Sequence, residues 1–190
     1  MELSAVTELD AVNEIISTIG ESPINTLEDL RNVDAINALT MLRATSRGEQ
    51  ARGWSFNVIP EHILNPDINT GFIRWHDNYL FLKGSGGEKL IRCGDYIKDL
   101  TTGELTFKQP ITCEAVLLID FEQLPEAMRR YIVAKAAFRF QSRYFGDDSM
   151  AQTTMQEIQE AWQHLQEYEM DNNDYNILDN THVSELKTRG

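Results

Sequence analysis

One stretch constrains the fold of this chain more than any other: LPEAMRRYIVAKAAFRFQSRYFG, residues 124–146. Pro125 suits a first helical position, where a missing N–H costs nothing. Gly146 suits the residue just past a helix end, and Arg143 falls in the last turn, where the dipole favours a cation. The roughly 20 residues between predict a helix about 30 Å long. At about 100° per residue, Ala127, Tyr131, Val133, Ala134, Ala137, Phe138, Phe140, Tyr144 and Phe145 share one half of the cylinder. Arg129, Lys135, Arg139 and Arg143 share an arc on the other side. One half is built for a core. The other is a basic ridge, and what the ridge faces decides what the helix does.

The ridge stands out because the chain is acidic: 30 Asp and Glu against 17 Lys and Arg, a net charge of −13. The acid is concentrated on either side of it in sequence. Residues 1–30 hold Glu2, Glu8, Asp10, Glu14, Glu21, Glu28 and Asp29, with no Lys or Arg. Residues 147–171 hold Asp147, Asp148, Glu157, Glu160, Glu167, Glu169 and Asp171, again with no Lys or Arg. Two arrangements satisfy this pattern. The ridge and the acidic segments pack together within one chain, where exposed pairs contribute little. Or they meet across copies of the protein. The acidic balance argues against a sequence-reading nucleic-acid binder, which needs a basic footprint for phosphates.

The rest of the chain reads as helices at both ends and strands between. Residues 7–19 predict a helix: Thr7 caps it, Asp10 completes a capping-box pattern, and Val12, Ile15, Ile16 and Ile19 form its apolar stripe. A second helix runs from Asn32 or Asp34 to about Arg52. It is buried along Ala35, Ala38, Leu39 and Leu42, is made basic by Arg43, Arg47 and Arg52, and is stopped by Gly53. From Trp54 the period changes to two, with Trp54, Phe56 and Val58 alternating with Ser55 and Asn57. Further short strands fall at 72–75, 79–82, 89–93, 96–98 and 104–107, with Asp99 to Gly103 as a hairpin turn. The segment ITCEAVLLI, 111–119, is the longest and most apolar, and reads as central.

After the ridge, Ala151, Met155, Ile158, Trp162 and Leu165 recur at helical spacing and predict an αα-hairpin partner. That helix is expected to end at Asp171 to Asp174. The fold class is therefore α+β. Residues 1–53 and 121–171 form a discontinuous helical bundle, residues 54–120 an antiparallel β-rich insertion, and residues 172–190 an extended polar tail that orders only against something else.

Chemical motifs are sparse. No run approaches the ~18 apolar residues of a membrane span, so no membrane insertion is expected. The opening MELSAVTELD lacks the basic and apolar regions of a leader, so synthesis and assembly are expected in cytoplasm. Cys93 and Cys113 read as buried thiols. His62, His76, His164 and His182 are scattered without zinc spacing. The run GSGGEK at 84–89 lacks phosphate-loop spacing and precedes a strand. The segment DNNDYNILDN has no glycine at the sixth position of a calcium loop. Asp95, Asp99, Glu104 and Glu114, on neighbouring strands, are the candidate carboxylates for a glycan hydrolase, but spacing alone does not fix the gap that reaction needs. No catalytic, cofactor or metal site follows from the residues, and their reading ends at an α+β interaction module.

Four stretches carry a resemblance. LDAVNEIISTIGESPINTLE near the start, RGWSFN at 52–57, YIVAKAAFRFQSRYFG and EYEMDNNDYNILD at 167–179 resemble, in order and spacing, the tail tubular protein A or head-to-tail adaptor family of short-tailed lytic phages. The β-rich middle, from about 58 to 120, resembles it least. The resemblance implies a non-enzymatic virion protein, a ring of twelve copies joining the portal protein to the tail nozzle (tail tubular protein B), with tail fibres attached nearby. The genomic DNA would pass through its lumen, and no cofactor is implied. An acidic wall suits a conduit, because a lumen that bound phosphates would hold the genome rather than let it slide. On this reading Arg129, Lys135, Arg139, Arg143, Tyr175, Ile177 and Leu178 are the candidate subunit or partner contacts. The alternative is a tail-associated glycan hydrolase using carboxylates of the insertion.

Overall fold

The computed structural model describes residues 6–28, 31–144 and 148–179, with 144, 148–154 and 173–179 described by backbone alone. In chain order the elements are α1 (Glu8–Ser17), α2 (Val33–Gln50), β1 (Val58–Leu64), β2 (Tyr79–Gly84), β3 (Leu90–Cys93), β4 (Tyr96–Asp99), β5 (Ile111–Leu117), a 3-10 turn at Phe121–Gln123, α3 (Glu126–Tyr144) and α4 (Asp148–Asp179). This is an α+β fold with its strands in the middle of the chain. It divides into a helical unit, residues 1–49 with 120–190, and a β unit, Gln50–Ile119.

In the helical unit, α1 starts where the capping box places it. The Thr7 hydroxyl accepts from the Asp10 N–H at 3.1 Å, and the Asp10 carboxylate accepts from the Thr7 N–H at 3.1 Å. The Thr7 hydroxyl also donates to the Asp10 carboxylate at 2.6 Å, and that bond, followed by the one from the Thr7 N–H, holds the Asp10 carboxyl below the usual range. Ala11, Val12, Ile15 and Ile16 are buried as the stripe requires. At α2, the Asn32 side chain accepts from the N–H groups of Asp34 and Ala35. Its last turns then alternate buried pairs (Met41-Leu42, Thr45-Ser46, Glu49-Gln50) with exposed pairs (Arg43-Ala44, Arg47-Gly48). One face points in and the other points out.

The helix α3 is the centre of this unit. Tyr131, Val133, Ala137 and Phe140 are buried on its apolar half, but Met128, Ile132 and Ala136, lying within the basic arc, are buried just as deeply. A half-wet ridge was expected there. The ridge is instead interleaved with core residues, because helices pack against α3 on several sides. The helix α4 returns along it, with the Tyr131 and Trp162 rings 5.1 Å apart and Leu165 buried. It does not stop at Asp171 to Asp174 but continues to Asp179, so residues 172–179 are helical rather than extended. Asn and Asp are only moderately poor helix formers, and no Gly or Pro breaks that run. Phe145, Gly146, Asp147 and the tail from 180 lie outside the described residues.

The β unit has a three-stranded antiparallel sheet in the order β1-β5-β2, beside a β3-β4 hairpin. β5 is central, as its apolar run predicts. Its inward residues Ile111, Cys113 and Ala115 pack with Leu64, Ile73, Leu82, Leu90 and Ile97. Several local expectations are corrected. Trp54 to Asn57 form a turn, not a strand. Pro60 lies inside β1, which tolerates it because β1 is an edge strand with a bulge between Ile59 and His62. The segments at 72–75 and 104–107 contribute only single bridges, Phe72 with Thr106 and Arg74 with Tyr96. β4 pairs with β3 around Gly94, so the Asp99 to Gly103 turn does not join two paired strands. Cys93 is exposed rather than buried, whereas Cys113 is buried and its thiol is pushed up to about 11 by that burial.

Candidate functional site

The basic ridge is resolved into contacts made within the chain. Arg129, 8% exposed, donates from Nη1 to the Val6 carbonyl at 3.0 Å and pairs through Nη2 with Glu126 at 3.1 Å. Its Nε is buried with no partner among the described residues. The Lys135 ammonium lies 2.6 Å from the Glu49 carboxylate of α2 and 3.3 Å from the Tyr131 hydroxyl. Burial alone would lower the Lys135 ammonium, but the Glu49 and Tyr131 contacts outweigh it and hold the group above its usual range. Arg139 donates from Nη1 to the buried Thr45 hydroxyl of α2 at 3.0 Å. Arg143 is exposed. The partners of Lys135 and Arg139 thus come from α2, not from the acidic segments that flank the ridge in sequence.

The pairing with Glu49 is measurable. A double-mutant cycle of Lys135→Ala and Glu49→Ala in urea unfolding is expected to return a coupling of about 1–3 kcal/mol, above the ~0.2–1 kcal/mol of an exposed pair. A coupling near zero would mean that the pair is solvated and adds nothing to the fold.

The flanking acids gather elsewhere. Glu14 of α1 and Glu157, Glu160 and His164 of α4 border a notch of about 210 Å³ with Arg130 of α3. Burial pushes the Glu14 carboxyl up, the Arg130 guanidinium opposes that shift, and Glu157 adds to it. Arg130 itself pairs with Glu126 at 3.0 Å. The notch therefore holds more acid than the described bases around it neutralise. Of the apolar candidates near the chain end, Tyr175, Ile177 and Leu178 fall on the final turns of α4, where only the backbone is described.

The candidate carboxylates of the β unit have different surroundings. Asp99 is buried, and its carboxylate accepts from the Thr101 N–H at 2.8 Å, the Lys89 N–H at 3.1 Å and the Thr102 hydroxyl at 3.1 Å. Burial raises its pKa, yet those hydrogen bonds outweigh the burial and hold it below the usual range. It is a turn-fixing group. Asp95 and Glu104 are exposed, and Glu114 lies across from Lys83 on the three-stranded sheet. Among the described residues, no cluster of His, Cys, Asp and Glu is arranged to hold a metal ion, and no helix is long and apolar enough to cross a membrane.

Sequence reasoning missed the residues that bind the two ends of the β unit together. The buried Gln50 side chain donates to the Ile119 carbonyl at 2.9 Å and accepts from the Ile119 N–H at 2.8 Å. The Asn57 side chain accepts from the Trp54 N–H at 2.8 Å and donates to the carbonyls of Gln50 and Leu117 at 3.0 and 2.8 Å. Gly53, at φ +78°, turns the chain between them; a Cβ there would press on Val58 at 3.3 Å. The only signal was the turn chemistry of Gly53 and Asn57, overridden by the apolar alternation of Trp54, Phe56 and Val58.

Comparison with known proteins places the chain in a family. The family model described as tail tubular protein matches residues 9–175. The chain is 30% identical over 144 residues to tail tubular protein A of Klebsiella phage KP34, covering 75% of each. A structural component of a phage tail is thereby defined. The chain belongs to the tail tubular protein family, and its place is the tail of the virion.

Proposed function

We propose that this chain is the ring-forming adaptor that joins the portal to the tail nozzle and forms part of the channel for genome ejection, with no catalytic role. Family membership supports a tail structural role. The observation that carries the finer reading is the partition of charge. The helical unit holds 22 Asp and Glu against 10 Lys and Arg, a balance of −12, while the β unit holds 8 against 7, a balance of −1. The chain concentrates its negative charge in the helical unit. A wall of that sign repels phosphates and lets a duplex slide. The ring of twelve, the portal, the nozzle protein and the nearby fibres are its proposed partners. Arg143, Tyr175, Ile177 and Leu178 are proposed partner contacts near the ends of α3 and α4.

Electron microscopy of the purified protein, alone and mixed with the portal of the same phage, tests this reading. Closed rings seated on the portal are expected. A protein that stays monomeric with the portal at every salt concentration would overturn it.

A further inference from the structure

The outward face of α2 has a feature that the described residues of a single chain do not account for. Gly48 lies inside the helix, where glycine is a poorer helix former than alanine. Its φ is not in the left-handed region, and a Cβ built on it meets nothing within 4 Å. No turn and no internal close approach therefore requires a glycine at this position. Gly48 continues a line of small exposed residues, Thr40 and Ala44, at intervals of four, with Ile36, 41% exposed, at the head of the same line. Beside it stands Arg47, exposed and without a partner among the described residues, whereas Arg43 is already held by Glu8 at 2.8 Å. This face is partly apolar and carries the Arg47 cation.

A face of opposite character exists on the same unit. The outward side of α4 presents Glu157, Glu160, Gln163, Glu167 and Met170, all exposed, and it borders the acid-rich notch with Glu14. The two faces look away from each other. Lys135 and Arg139 of α3 reach α2, while Arg130 and Ala134 line the notch against α4. Arg130 and Lys135 are about 140° apart around a helix, as are Ala134 and Arg139. Two different complementary patches on opposite flanks are what a head-to-tail contact needs, and such contacts close into rings.

We propose that the α2 face around Arg47 and Gly48 docks on the acidic α4 face of a second copy of this chain, with Gly48 allowing the helices to approach closely and Arg47 entering the Glu14, Glu157 and Glu160 notch. This places the subunit contact on α2 rather than on the ridge of α3. It rests on the reading of the chain as a self-assembling ring subunit.

The test uses the full chain and follows ring assembly on the portal by sedimentation and electron microscopy, with urea unfolding of the lone protein as the check on folding. Gly48→Ala is expected to raise the urea midpoint. Gly48→Leu is expected to leave the fold intact and weaken assembly at least tenfold. Arg47→Glu is expected to weaken it similarly, and combining it with Glu157→Lys and Glu160→Lys to recover a large part of the loss. Normal assembly of Gly48→Leu, or no recovery by the combined charge reversal, would overturn the inference while the ring reading stands. Failure of the unaltered chain to assemble would instead remove the ring reading, and this contact with it.

Discussion

An Asn57→Ala variant is expected to lose about 3 kcal/mol of β-unit stability, read as faster amide exchange along β5 in the full chain. Asn57 is 3% exposed and its side chain serves three backbone groups at once: the N–H of Trp54 and the carbonyls of Gln50 and Leu117. Truncation leaves all three without that partner, and each buried orphan costs about 1–3 kcal/mol before water or relaxation recovers part of it. Asn57→Asp separates the contributions. It keeps the acceptor for Trp54 but sets a carboxylate oxygen against two carbonyls, so at neutral pH it is expected to be at least as damaging as alanine. Acidification should recover part of the loss, because a protonated carboxyl can donate to one of them. An Asn57→Asp protein as stable as the original would show that the two carbonyls find other donors.

Phe140→Ala is expected to cost about 3–5 kcal/mol in the helical unit, the range for emptying a well-packed aromatic site. Phe140 is 1% exposed and is the largest fully buried side chain among the described residues. Phe138, two residues earlier and half-buried, is the control, and its alanine variant should lose less than half as much. Equal losses at the two positions would mean that α3 is not packed as deeply on the Phe140 side as its burial implies. Amide exchange of α3 reports this unit separately from β5, which matters because a two-unit chain need not unfold in one step.

Local chemistry made α1 and β5 legible. The Thr7 and Asp10 capping box fixes the start of α1, and the length and apolar end of β5 mark a strand covered on both edges. The burial of Val133, Ala137 and Phe140 also follows from their spacing on α3. Projection onto a single cylinder failed where a helix has neighbours on several sides. Arg129 and Ile132 share an arc, yet both are buried, because a guanidinium can be taken inside when it meets a carbonyl and a carboxylate. Lys135 found its acid in Glu49, 86 residues away, a pairing no local charge pattern could reveal. The segment from Trp54 to Asn57 failed for the opposite reason. Its alternation was real, but three hydrogen bonds from one amide outweighed it. Of the proposed α2 contact, the exposed arginines were legible. The significance of Gly48 was not, because it depends on what its missing side chain would fail to touch.

The Gln50 amide closing on Ile119 has a consequence for how this chain tolerates change. Because the β unit begins and ends at one clasped point, it is a cassette inserted in the chain between α2 and α3. Any segment that brings its own two ends together in this way can be lengthened, trimmed or exchanged without disturbing the register of the helices before and after it. A tail protein built on this plan can vary its β unit while keeping its helices unchanged.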